Sequence, residues 1–172
     1  DVWWAGAWEE QRACVEALRL PVFAHGQGRG LVPADHELAF SRARRLLGEA
    51  DVVAVVGTPL DFRLGYGRFG DAAVVHVADT PDRLARHRPL AAAPAGDLRT
   101  ILAGLADYSG PRADHEPWIA HLRAAESAAR EAERALFESD AEPIHPARVY
   151  GELRRRLDRD AVVIGDGGDI VS

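Results

Sequence analysis

The stretch "DVVAVVG" (Asp51–Gly57) constrains the fold more than any other part of the sequence. It is apolar and mostly β-branched at both alternating sets of positions. It therefore reads as a strand covered on both sides, not one with a wet face. "AVVHVAD" (Ala73–Asp79) repeats that pattern further along. Around these two lie stretches with helical spacing. In Trp4–Leu18, the residues Trp4, Trp8, Val15 and Leu18 share one face and read as packing residues. Asp35–Leu47 begins with Asp35 as its N-cap, and Gly96–Asp107 reads as a second capped helix. Pro21–Ala24 is a short strand. Strands alternating with helices predict an α/β fold, a Rossmann-like parallel sheet with helices on both faces.

From Ser109 the character changes. "SGPRADHEP" is a linker by composition, and Trp118–Phe137 is a charged, alanine-rich helix with many i,i+4 Glu/Arg pairs. "DAEPIHP" is a second linker. Pro146 suits the first turn of a helix that runs from His145 to Leu157. Val162, Val163 and Ile164 then read as a buried strand entering the turn "GDGGD". A chain of 172 residues holds one full domain and part of another. The predicted division is a nucleotide-binding-like domain over 1–108, a helical connector over 109–143, and the first elements of a second α/β domain over 144–172.

Charge and composition exclude several classes. The net charge is −6 and every basic residue is arginine, so no basic surface suits nucleic acid. No apolar run approaches the roughly 18 residues a membrane span needs. Cys14 is the sole cysteine, which excludes a disulfide framework and favours a cytoplasmic protein. It reads as a small core residue on a helix.

Three segments carry candidate chemistry. "HGQGRG" (His25–Gly30) lies between a strand and a helix, where glycines let a backbone approach a phosphate. Its spacing, G-x-G-x-G, also suits a tight turn without ligand. "GTPLDFRLGYG" (Gly57–Gly67) follows the carboxyl end of a strand, where open α/β sheets collect ligands. There Arg63 can meet a diphosphate with its planar fork, or pair with Asp61 at the surface. In "GDGGD", the N–H groups of Gly167 and Gly168 can face a diphosphate, and Asp166 and Asp169 can hold magnesium or bond a cofactor. No nucleophile constellation is present. The seven histidines are scattered, and His115 and His121 are spaced too poorly to share a metal.

Taken together, "PVFAHGQGRGLVPADHELAFSRAR", "ADVVAVVGTPLDFRLGYG", "VVHVADTPDRL", "AGDLRTIL" and "HPARVYGELRRRLDRDAVVIGDGGD" resemble one family. It is the thiamine-diphosphate-dependent enzymes of the acetolactate synthase and 2-hydroxyacyl-CoA lyase group. The resemblance covers most of the chain in the family's order. It implies the central domain without its first strand, a connector, and the opening of the diphosphate-binding domain. By position it implies that Gly167, Gly168 and Asp169 touch thiamine diphosphate, and it does not make Asp166 a metal ligand. The matching nucleotide positions are His25, Gly26, Gly57, Asp61, Arg63 and Asp97, for FAD in acetolactate synthases or for ADP and the nucleotide part of CoA in lyases. Magnesium and the cofactor-activating glutamate belong to other parts of such an enzyme, so no catalytic residue is assigned here and this chain alone is expected to be inactive. The implied reaction forms or breaks a C–C bond next to the carbonyl of a 2-keto acid. The implied partners are a small-molecule substrate and further copies in a homodimer or homotetramer. The chain departs from acetolactate synthases at Pro59, where they carry arginine, at Ala78, and in lacking their Gly-Met-His-Gly stretch. The favoured reading is acetolactate synthase-like carboligation of pyruvate, and the missing stretch supports the alternative of a 2-hydroxyacyl-CoA or benzoin-type lyase. A non-catalytic nucleotide-binding scaffold is the third reading.

Overall fold

The computed structural model describes residues 2–164. Two strands, β1 (Val52–Val56) and β2 (Ala73–Val77), pair in parallel, in register from Val52 with Ala73 to Val56 with Val77. Valine dominates both, and its branched side chain suits a pleated, half-buried surface. Beyond β2 the chain adds parallel bridges from Val75 to Ala92 and from Ala78 to Ala95. The helices are α1 (Trp8–Leu18), α2 (Leu98–Ala106), α3 (Glu116–Phe137) and α4 (Pro146–Arg156). None is long and apolar enough to cross a membrane.

The mixed α/β character and the parallel pairing agree with the sequence pattern. The covering of the sheet does not. On one face Val56, Val75 and Val77 pack with Cys14, Leu98 and Leu102, so α1 and α2 cover that side. On the other, Val53, Val55 and Val74 pack with Leu60, Phe69 and Ala72, which lie in loops on either side of the 3-10 segment Phe62–Gly67. Helices therefore cover one face, not both. Even that cover reaches β1 only at its carboxyl end, leaving Val52 57% exposed at the other. A third cluster gathers Val15, Val32, Leu38, Phe40, Leu46, Ile119 and Leu122.

The region expected to be a helix over Asp35–Leu47 is instead a series of turns followed by a 3-10 segment, Arg42–Glu49. The reason lies in its partners. Val22 N–H donates to Leu38 O at 2.7 Å and Phe40 N–H to Val22 O at 2.9 Å, which holds the chain around Ala39 extended. The expected strand Pro21–Ala24 is reduced to that single bridge, Val22 with Ala39. Glu126 of α3 then takes over as a remote cap. Its carboxylate accepts from the backbone N–H of Ser41 (3.1 Å), Arg42 (2.7 Å) and Ala43 (2.9 Å). These are the orphan donors that any helix start must satisfy, so winding begins at Arg42 and not at Asp35.

At the N-terminal end, Gly6 takes φ 63° and helix α1 begins only at Trp8. Trp4, expected on its packed face, is 74% exposed. Gly70 (φ 57°) is required where it stands, because a Cβ there would lie 2.4 Å from Gly48 O. The chain forms two compact units, the first ending at Glu126 and the second beginning at Ser127. In the second, His145 Nδ1 accepts from Ala147 N–H at 3.1 Å and Pro146 fills the first turn of α4. Val162–Ile164, expected as a buried strand, is exposed and has no strand partner among the described residues.

Candidate functional site

The site is assembled where β1 and β2 end. β1 runs into Gly57, buried with φ 63°, whose N–H donates to Val77 O at 2.9 Å. The next carbonyl, Thr58 O, lies 3.0 Å from His76 Nε2. His76 is 1% exposed, and its Nδ1 accepts from Ala85 N–H at 3.0 Å. An accepting Nδ1 places the imidazole proton on Nε2, which donates to Thr58 O. One buried side chain on β2 thus ties together the loops that follow both strands.

Past Thr58, Asp61 starts the 3-10 segment Phe62–Gly67, and its Oδ1 accepts from Arg63 N–H at 3.0 Å. Arg63 Nε lies 3.1 Å from both carboxylate oxygens and Nη2 completes a forked pair. The Arg63 guanidinium holds the Asp61 carboxyl below the usual carboxylate range. Opposite in sequence lies the glycine loop. Gly26–Gly28 form a 3-10 turn, Gly26 has φ 51°, and a Cβ at Gly26, Gly28 or Gly30 would meet nothing within 4 Å. The loop therefore has an open side along its backbone.

His25 connects the two. Burial pushes its imidazole down, and the guanidiniums of Arg44, Arg63 and Arg29 push it further, against the opposing pull of Asp61. The charges of Asp61 and Arg63 thus both act on His25, which Gly26 follows directly in the chain. Asp97 caps α2, its Oδ1 accepting from Thr100 N–H and Thr100 Oγ1 at 2.7 Å each. Gly167, Gly168 and Asp169 lie outside the described residues. Among the described residues no group of three or more His, Cys, Asp or Glu is placed to hold a metal ion.

Sequence reasoning missed Arg44, Arg45 and Arg68. With Arg63 they line a pocket of about 310 Å³, which Gly48 and Gly65 also line. The available signal was "SRARRLLG", three arginines with no acid, which reads equally well as the wet face of a helix. An open glycine loop, an imidazole driven toward its neutral form and a fixed guanidinium suit an oxygen-rich anion such as a nucleotide diphosphate.

Comparison with known proteins decides the family. Residues 1–105 match the family described as "Thiamine pyrophosphate enzyme, central domain". The chain belongs to this family. Among thiamine pyrophosphate enzymes, it is 48% identical over 175 residues to the acetolactate synthase large subunit IlvG of Mycobacterium tuberculosis, covering 100% of this chain and 32% of that protein. The probable acetolactate synthase of Mycobacterium bovis matches with the same figures. The 2-hydroxyacyl-CoA lyase 2 of Bos taurus is 31% identical over 173 residues, 95% of this chain and 27% of that protein. The chain thus spans about a third of the length of the curated relatives it matches. Membership implies a Rossmann-like fold and thiamine diphosphate as the family's cofactor.

Proposed function

We propose that this segment is the nucleotide-binding portion of an acetolactate synthase-like carboligase. The observation that carries the reading is 48% identity to acetolactate synthases along the whole chain, against 31% for a 2-hydroxyacyl-CoA lyase. In the reaction, one pyruvate loses carbon dioxide, and its remaining two-carbon unit joins the keto carbon of a second pyruvate, whose oxygen takes up a proton. Thiamine diphosphate, with magnesium, supplies the electron sink for the carbanion next to the carbonyl. The residues of this chain act at a distance from that chemistry. His25, Gly26, Gly57, Asp61 and Arg63 are the residues that would hold a nucleotide. Arg63 would orient its anionic group with the part of the guanidinium that Asp61 leaves available. Asp97, as the cap of α2, steadies the helix behind the sheet. FAD is the nucleotide of the carboligase reading.

The second reading is a 2-hydroxyacyl-CoA or benzoin-type lyase, with ADP or the CoA nucleotide in the same place. Pro59 and the short segment between His36 and Asp51 favour it. The deciding experiment uses a polypeptide of the relatives' full length that contains this segment, supplied with thiamine diphosphate and magnesium. Acetolactate formed from pyruvate, with FAD raising the unfolding midpoint and Arg63→Ala abolishing that rise, is the expected result. Cleavage of a 2-hydroxyacyl-CoA with no acetolactate formed would overturn the first reading in favour of the second. Nucleotide binding without either activity would leave the scaffold reading.

A further inference from the structure

We propose that residues 108–115 are a strap whose fastening, by Arg112 and Arg19, fixes the first turns of α3 and through Glu126 holds the 3-10 segment Arg42–Glu49 in place. The starting observation is a backbone outlier. α1 ends at Arg19, which takes φ 54°. That left-handed position at a helix end ordinarily suits glycine, because a Cβ is strained there. An arginine kept at such a place points to a use of its side chain. Arg19 Nε donates to Glu116 Oε1 at 2.8 Å, in the first turn of α3, and its Nη1 donates to the Glu37 carboxylate. Further along α3, Arg123 Nη2 donates to Glu37 O at 3.3 Å. Guanidiniums thus join the end of α1, the backbone at Glu37 and the start of α3.

The strap carries no helix or strand and is mostly exposed. Arg112 fastens it. Its Nη1 donates to Ala17 O at 2.9 Å and its Nη2 to Tyr108 O at 2.6 Å. Ala17 lies in the last turn of α1, whose carbonyls have no acceptor role left inside the helix, and Tyr108 follows α2. One side chain therefore closes the ends of two helices. The Tyr108 ring lies over Gly110, where an added Cβ would be 2.3 Å from its Cζ. At the far end, Asp114 Oδ1 accepts from Glu116 N–H at 3.0 Å, where α3 begins.

Ile119 and Leu122 bury one face of α3. Apolar contact is non-directional, so it does not by itself fix where along its axis the helix stands. Glu126 is less tolerant. Its bonds to the N–H groups of Ser41, Arg42 and Ala43 lie between 2.7 and 3.1 Å, and such bonds weaken steeply when distance and angle are lost. A helix moves as a rod, so what holds Glu116 also holds Glu126. The segment anchored there carries Arg44, Arg45, Leu47 and Gly48 to the wall of the candidate site. The state of the strap thereby reaches that wall through a chain of contacts. None of these contacts depends on the carboligase or the lyase reading.

The test compares the full chain with Arg112→Gln and Arg19→Gln, singly and together. Chymotrypsin cleavage after Tyr108 reports opening of the strap. Hydrogen exchange at the Ser41, Arg42 and Ala43 amides reports the hold of Glu126, and the β2 amides report global unfolding. In the double variant we expect cleavage about tenfold faster and exchange at 41–43 about fivefold or more faster, as loss of charge-assisted hydrogen bonds requires, with β2 at the parent rate. Arg19→Gly separates side chain from backbone. It relieves the left-handed strain, so a residue with no further role would give a slower-opening strap, whereas the proposal requires a faster one. Added salt should move the parent in the same direction, because exposed charged contacts are screened. Arg12→Gln, which removes the pair with Glu16 on α1, should change neither readout. The proposal is overturned if cleavage is unchanged in the double variant, or if the strap opens while the 41–43 amides exchange as in the parent. It is equally overturned if the β2 amides accelerate by the same factor, because the strap then adds only to global stability. Should the double variant fail to fold, Glu37→Gln and the salt series on the parent decide by the same readouts.

Discussion

Glu126 is the residue on which the first half of the chain depends most visibly. Its carboxylate is buried, yet it serves three backbone N–H groups and the Ser41 hydroxyl at 3.0 Å. Burial pushes the carboxyl up, but the hydrogen bonds from Ala43, Ser41 and Arg42 outweigh it and hold the group below the usual range. Glu126→Ala leaves those donors without an acceptor, which costs about 3 kcal/mol or more if each unsatisfied group costs ~1–3 kcal/mol. Urea denaturation at pH 7 measures this. Because the folded-state value is depressed, the contribution is fully present above the unfolded-state value and fades as pH falls through the folded one. The gap between parent and Glu126→Gln should thus shrink below about pH 4.5, the ordinary carboxyl value. A gap that stays constant from pH 7 to pH 3 would show that shape and not charge does the capping. His76 makes the second residue-scale case. His76→Phe keeps the volume but removes the partners of Thr58 O and Ala85 N–H. We expect a loss of about 2 kcal/mol or more in unfolding free energy, a penalty typical of stranded buried polar groups. Retention of full stability would mean that the two loops are held by other contacts.

Among the elements, α2 offers an internal control. Leu98 and Leu102 are buried against Cys14 and Val77, whereas Leu105 on the same helix is exposed. Leu102→Ala should lower stability by ~2–5 kcal/mol and Leu105→Ala by no more than about 0.5 kcal/mol. Equal losses, measured by thermal unfolding, would mean that α2 does not pack as described. This amphipathic spacing was legible in the sequence, as were β1 and β2, because valine runs and heptad-like spacing state their own periods. The cap of α2 at Asp97 and the proline start of α4 were legible for the same local reason. What the sequence hid was non-local. Leu38, Ala43 and Leu46 satisfy a helical pattern, but Val22 holds the chain extended at Ala39 and Glu126 restarts the winding at Arg42. Neither partner is near in sequence. Of the candidate site, Asp61 and Arg63 were readable from their place after a strand. Arg44, Arg45 and Arg68 were not, because four arginines converge only when a 3-10 segment and a loop are brought together. Nor was His76, which looks in sequence like one more residue of a buried strand.

For the whole molecule, the uneven placement of apolar side chains has a dynamic consequence. The unit ending at Glu126 holds three buried clusters. In the described part of the unit that begins at Ser127, no hydrophobic side chain is buried, and Ile144, Val149, Leu153 and Leu157 are all exposed. That part is organised by polar contacts instead. Arg148 bonds Ser139 O at 3.1 Å and Asp140 Oδ1 at 3.0 Å, and Glu152 pairs with Arg148, Arg155 and Arg156. Exposed ion pairs contribute about 0–1 kcal/mol each, and salt screens them. Burial of a leucine or valine contributes ~1.5–3 kcal/mol and is not screened in this way. The two units should therefore open at different free energies, as local stability follows buried apolar contact. Hydrogen exchange measures this directly. Amides of β1, β2 and α2 should exchange about a hundredfold or more slowly than those of α4, with the boundary falling inside α3, after Leu122 and Glu126 and before Phe137. Raising the salt concentration should speed exchange in α4 and leave β1 and β2 nearly unchanged. Uniform protection along α3 and into α4 would mean instead that the helix carries its stability across the boundary, and that the ion pairs around Glu152 hold more than exposed pairs ordinarily do.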